Sequence, residues 1–237
     1  MSSFPLPQFH ELWRRHENAY MDVFIRSLKR LAEREKLYGG ENRINKTLSK
    51  ITNDICFELW NTEKKDINRP RYEQPIPPTD ENELTEDNDS KRPDFSCIFK
   101  NDFAQKPEER EIGLHCECKL LGDIDSSWNL NRNYVNNGIK RFLHNTHEYG
   151  KRAPAGLMIG YMINMLPPTI QDDVNGHIKK ELHGNPEINF VFSGITSKTE
   201  QKLFRSDVAP NDFVLNHIWV DLRNNYKFER KKPKVLK

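Results

Sequence analysis

A chain of 237 residues with 35% hydrophobic residues can bury one sizeable core, and its 30% charged residues place that core inside a shell of exposed helices and loops. The formal net charge of +2, from 37 basic and 35 acidic residues, excludes any argument for nucleic acid from global charge; a polyanion site has to come from local distribution. No apolar run reaches the length of a bilayer span, and residues 1–15 hold no apolar stretch of a secretory leader, so the expectation is a cytoplasmic, non-membrane protein with reduced thiols.

Residues 9–37 read as a long charged helix, with Trp13, Tyr20, Phe24, Leu28 and Leu31 at roughly helical spacing and Gly39-Gly40 as its stop. Residues 1–40 are therefore expected to form an N-terminal helical extension. It either covers a sheet or docks a partner. A second helix is expected over 41–60, where Ile44, Leu48, Ile51, Ile55 and Leu59 form one apolar stripe. Residues 69–90 hold four prolines and then an acidic run, 80–89, without Lys or Arg; they read as a loop inserted in one domain, with room for one short strand.

Two strands are expected next, at 94–99 and 112–121, joined by a polar hairpin loop. In the second, Leu114, Cys116, Cys118 and Leu120 share one face, and His115, Glu117 and Lys119 the other. Cys116 and Cys118 read as small residues on the buried face. A zinc reading lacks a second cysteine pair at finger spacing. Beyond them lie an expected helix at 134–149, a buried strand at 156–163, a helix at 170–182, and strands at 188–195 and 213–222. A basic tail occupies 227–237. The order predicts an α/β fold: a mixed β-sheet flanked by helices, with residues 41–226 as its domain.

The chemistry-bearing residues are Pro93-Asp94 and Glu117-Cys118-Lys119. Glu-x-Lys on a strand sets a carboxylate and an ammonium side by side. If Asp94 opens the neighbouring strand, its carboxylate converges on Glu117, and two such carboxylates form a hard-oxygen site suited to Mg²⁺. The Cys118 carbonyl is a further candidate ligand. Such a site serves phosphodiester hydrolysis, in which a metal acidifies water and neutralises phosphate charge. Lys119 then orients that water, helps to deprotonate it, or stabilises the transition state; the sequence leaves these three roles open. A surface Glu-Lys pair on an edge strand is the plain alternative.

In Arg92-Pro93-Asp94-Phe95 and His115-Cys116-Glu117-Cys118-Lys119-Leu120 the chain resembles the PD-(D/E)xK phosphodiesterases, a superfamily of restriction enzymes, recombination nucleases and phage-defence effectors. The resemblance covers roughly half of the chain. It also takes in the order helix, strand meander, helix, strand between residues 41 and 163. It implies a restriction-endonuclease-like fold and a Mg²⁺-dependent nuclease, with Mn²⁺ as a substitute. Asp94 and Glu117 are then metal ligands and Lys119 the catalytic lysine. Members often add a carboxylate from the first core helix, for which Glu41 is the candidate, with Glu58 second. Glu41 reads equally as a first-turn acid that favours the helix dipole.

Within the 134–149 helix, Lys140 and Arg141 are the candidate nucleic-acid contacts, Lys140 foremost, against the reading of a solvated face. Trp219 and Tyr226, near the tail, stack on bases or pack in the core. By the same resemblance the expected substrate is DNA, with RNA as the other polymer, and the expected setting restriction or phage defence. The expected assembly is a homodimer or a complex with partner proteins of a defence system. The competing reading is a catalytically silent subunit of the same fold that binds nucleic acid or assembles.

Overall fold

Residues 7–76, 91–125 and 128–227 are described by a computed structural model. The acidic run at 80–89 and the basic tail beyond Lys227 lie outside the described residues. Helix α1, Pro7–Ala32, carries the expected apolar residues: Phe9, Trp13, Tyr20, Phe24, Leu28 and Leu31 are all buried. It ends five residues before its expected boundary, because Leu37 turns into a two-residue strand, β1 (Leu37–Tyr38). Helix α2, Glu41–Glu63, buries the whole predicted stripe from Ile44 to Leu59. It packs beside α1, so both helices share one core with the sheet beneath them.

The remaining strands are β2 (Arg71–Tyr72), β3 (Phe95–Lys100), β4 (Glu111–Leu121), β5 (Asp123–Asp125), β6 (Trp128–Asn129), β7 (Ala155–Met162), β8 (Thr196–Phe204), β9 (Asp212–Asp221) and β10 (Tyr226–Lys227). Six form a mixed sheet in the order β2-β3-β4-β7-β9-β8. The β2-β3-β4 part is an antiparallel meander; β4, β7 and β9 run parallel, and β8 is an antiparallel edge. Strand β2 is the short strand allowed for in the Pro-rich segment. Helix α3 (Leu130–Asn136) lies between β4 and β7, and α4 (Pro167–Glu181) between β7 and the edge strand β8.

Alternation along the strands divides the apolar residues between two cores. Leu114, Cys116, Cys118, Leu157 and Ile159 face α1 and α2, while Met158, Met162, Leu215 and Trp219 face α3 and α4. All four cysteines are buried and free, and Cys116 and Cys118 lie in the first core, as small-residue packing requires. No helix among the described residues is long and apolar enough to cross a membrane.

Two predicted elements are corrected. The helix expected at 134–149 is cut short: α3 ends at Asn136, and a 3-10 turn, Ile139–Phe142, follows Gly138. A Cβ on Gly138 would lie 2.3 Å from the Tyr134 carbonyl oxygen and 2.5 Å from Met158 Cε, so this position packs too closely on the sheet for any side chain. The strand expected at 188–195 is irregular chain. Its backbone groups are satisfied by side chains of α4: Asn175 exchanges two hydrogen bonds with Ile188, and Gln171 accepts from Phe190 N–H. The edge strand is β8 instead, a polar run.

Candidate active site

Strand β4 outruns β3. Their pairing ends at Phe95 opposite Cys116, and beyond it β4 has a strand partner on the β7 side only. The N–H groups of Cys118 and Leu120 on the open edge need acceptors. Cys118 N–H donates to Asp94 Oδ2 at 2.7 Å, and Leu120 N–H donates to Glu41 Oε2 at 3.3 Å. One carboxylate comes from the residue before β3, the other from the first turn of α2. The unpaired strand edge thus draws two acids from distant parts of the chain to the residues that flank Glu117 and Lys119.

Lys119 closes the cluster. Its Nζ donates to Glu117 Oε1 at 2.5 Å, to Glu41 Oε1 at 2.9 Å and to the Cys118 carbonyl at 2.9 Å. Arg141 Nη1 adds a second cation to the same Glu117 Oε1, at 2.7 Å. Glu117 is 1% exposed, Lys119 5% and Asp94 9%. The other Glu117 oxygen, Oε2, is buried and has no hydrogen-bond partner among the described residues. A buried carboxylate oxygen left so is costly.

The protonation states follow from burial and charge. Burial lifts the Asp94 carboxyl from its ordinary 3.8 to about 8; Glu117 pushes the same way, while Lys119 and the Cys118 N–H oppose the rise. Burial also raises Glu117, against the pull of Lys119 and Arg141. Burial disfavours the Lys119 ammonium, but Glu117, Glu41 and Asp94 together outweigh it, so its pKa is raised. Three acids therefore face two fixed cations.

Arg141 reaches Glu117 because the 3-10 turn redirects it. Its guanidinium lies 5.7 Å from the centre of the Tyr149 ring, and Nη1 also donates to the Tyr149 hydroxyl at 3.3 Å. The loop between them is pinned by Arg205, which is buried and donates to the carbonyls of Phe142, Tyr149, Gly150 and Pro210 while its guanidinium stacks 3.9 Å over Phe213. Burial pulls the Arg205 pKa down to about 9, which leaves it charged at neutral pH.

Asp94, Glu117, Lys119 and Glu41, all singled out from sequence, are brought together. Lys140, chosen there ahead of Arg141, points away and pairs with Glu181 at 3.3 Å. Successive residues of a 3-10 turn project about a third of a turn apart, so the neighbour is the one that faces the strand. Glu58 lies at the far end of α2, exposed and paired with Arg30. Tyr226 is buried with its hydroxyl on the Gly39 carbonyl, and Trp219 is fully buried, so neither is a base-stacking surface. Arg205 carried no sequence signal, since every partner is a backbone carbonyl set by tertiary structure.

The donor types fit a hard divalent cation: Asp94, Glu117 and Glu41 carboxylates, with one Glu117 oxygen unclaimed. As they stand, no three acidic, His or Cys groups among the described residues are gathered into a cage for an ion. The Cys118 carbonyl and both Glu41 oxygens are already engaged, by Lys119 and by Leu120 N–H. Comparison with protein-family models, curated proteins and solved structures finds no match to this chain.

Proposed function

We propose that the chain is a metal-dependent endonuclease that hydrolyses phosphodiester bonds of DNA. The observation that carries this reading is Glu117: a buried carboxylate with one oxygen claimed by both Lys119 and Arg141 and the other by no group among the described residues. A fold gains no stability from such an arrangement, and a cation-binding, anion-processing site explains it. The order α2, β2-β3-β4, α3, β7 follows the core expected from the PD-(D/E)xK resemblance, and on that ground we read the sheet as restriction-endonuclease-like.

Asp94 and Glu117 would hold the metal, with Glu41 beside them. When bound, Mg²⁺ or Mn²⁺ supplies charge neutralisation on the phosphate and acidifies water. The chain's own residues do the rest. Lys119, held protonated by the acids around it, acts as a fixed positive charge towards the phosphate and not as a proton acceptor. Glu41 holds the Lys119 ammonium at the end of β4. Arg141 balances Glu117 from the other side and stands ready as a second cation for the phosphate. A setting in restriction or phage defence belongs to this proposal through the resemblance alone.

Thermal unfolding of the wild type and of Glu117→Gln, each with EDTA, Mg²⁺ or Mn²⁺, tests the reading. The expected result is a metal-dependent rise in melting temperature for the wild type and none for the variant. An equal rise in both would mean that the ion binds elsewhere and would overturn the assignment.

A further inference from the structure

Outside the carboxylate cluster, helices α3 and α4 cover β7 and β9, and among the described residues no helix packs over β3 and the first half of β4 on that side. A groove of about 710 Å³ lies there. Its floor is Ser96 and Ile98 of β3 with Gly113 and His115 of β4. By period-two alternation these residues continue the row that holds Glu117: along β4 the row reads Glu117, His115, Gly113, Glu111. The floor begins one side-chain repeat, ~7 Å, from Glu117.

The rim is cationic. Arg71, Lys100, Arg110, Lys151 and Arg152 line it, and Glu111 is the one acid among the described lining residues. Glu111 stands opposite Lys100 in the strand register, and Lys151 also bridges Glu148 at 3.2 Å. Arg71, Lys100 and Arg110 against the one acid Glu111, in a protein of net charge +2, are a local concentration of charge. The floor adds a neutral donor. Gly150 N–H donates to His115 Nδ1 at 3.0 Å, so the ring proton is on Nε2. That Nε2 lies 2.3 Å from where a Cβ on residue 113 would be, so only glycine there lets the ring lie along the floor.

We infer that this groove holds the sugar-phosphate backbone of one nucleic-acid strand on one side of the scissile phosphate, with Lys100, Arg110 and Arg71 as phosphate contacts. The inference rests on the reading of Asp94, Glu117 and Lys119 as a phosphodiester-cleaving site. Continuity with that site and the sign of the rim charge favour a strand that runs through over a separate small ligand. The groove volume is that of a small-molecule pocket, enough for a short length of a single strand and not for a duplex.

The test is fluorescence anisotropy of a labelled 12-nucleotide single-stranded DNA of mixed sequence, in EDTA, over a series of salt concentrations. It compares wild type, the double variant Lys100→Ala/Arg110→Ala, and Lys29→Ala, at an exposed position of α1, as control. Lys100 and Arg110 are exposed, so the variant keeps the fold, which circular dichroism checks. The expected result is at least tenfold weaker binding by the double variant, with the slope of log Kd against log salt reduced by ~1.4, two phosphate contacts at ~0.7 each. The control should match wild type.

Binding and salt slope unchanged in the double variant, or no binding by wild type, would overturn the inference. So would displacement of the DNA by a mononucleotide at equal concentration, which would mark a small-ligand pocket. Failure of the underlying reading is separable. Metal-dependent cleavage lost in Glu117→Gln but untouched in the double variant leaves the active-site reading standing without the groove. Strand binding through the groove without any metal effect leaves the groove without the active site.

Discussion

Asp94→Asn replaces a buried carboxylate by a neutral group of the same shape, and its effect on stability has an unusual sign. The carboxyl is 9% exposed, and its pKa is lifted from 3.8 to about 8 in the folded chain. Below pH 3.8 both states carry the proton, and the group is neutral in its effect. Between 3.8 and 8 the unfolded chain releases the proton and the folded chain retains it, so stability falls by ~1.4 kcal/mol per pH unit. Above 8 both states are ionised, and the loss levels off. At pH 7 about three units of this window have been crossed, a loss of ~4 kcal/mol from this one group. Asparagine stays neutral throughout, and its carbonyl oxygen can still accept from Cys118 N–H.

In EDTA at pH 7, Asp94→Asn should therefore be more stable than wild type by ~2–4 kcal/mol, allowing for relaxation around the carboxylate. Urea denaturation at pH 7 and pH 4 reads this directly, and the difference should shrink towards zero at pH 4. Millimolar Mg²⁺ should then stabilise the wild type and leave the variant unmoved. A variant less stable than wild type at pH 7 would refute the reasoning. It would show that the Asp94 charge serves the fold, as a cap on the β4 edge, and is not retained at a cost for chemistry.

The same proton should appear in metal binding. The apparent Mg²⁺ affinity measured by calorimetry should rise about tenfold per pH unit below pH 8 and flatten above it, because binding must release the Asp94 proton; a flat profile from pH 6 to 8 would contradict this. Lys119→Met leaves Glu117 to Arg141 alone and should destabilise by ~3 kcal/mol. It should lower the cleavage rate ~10²–10³-fold without weakening metal binding, and wild-type turnover would remove Lys119 from the chemistry. Arg205→Met takes the guanidinium donors from four carbonyls, of which Gly150 keeps the Ala153 N–H, and should cost ~3 kcal/mol in urea denaturation. It should also slow cleavage, because the loop that holds Arg141 and Tyr149 loses its anchor. Unchanged stability would mean that water replaces the guanidinium.

Much of this architecture is legible where the signal is local. The α2 stripe from Ile44 to Leu59 and the alternation along β4 each carry their own period, and both elements form where expected. Asp94, Glu117 and Lys119 are readable because a strand puts alternate residues together. The missed parts depend on partners far away in the chain. Ile188 and Phe190 look like strand residues but find their hydrogen bonds in Asn175 and Gln171. Strand β8 has a polar sequence because it is an edge with one face towards solvent, and only Ser197, Gln201 and Leu203 of it are buried. Arg141 and not Lys140 faces Glu117, because α3 ends at Asn136 and the 3-10 turn after Gly138 has a different pitch. Nothing within ten residues of Arg141 indicates that its partner is Glu117 on the neighbouring strand.

The central claim is that Asp94, Glu117 and Lys119 cleave phosphodiester bonds with a divalent metal. Its most direct test is incubation of supercoiled plasmid and single-stranded DNA with purified wild type and Asp94→Asn, in Mg²⁺, Mn²⁺ or EDTA. The expected result is nicked or linear product from the wild type with either metal, and none in EDTA or from Asp94→Asn. Cleavage that persists in Asp94→Asn would contradict the site, and metal binding by a wild type that cuts neither substrate would identify a nuclease-like subunit that binds or assembles without cutting.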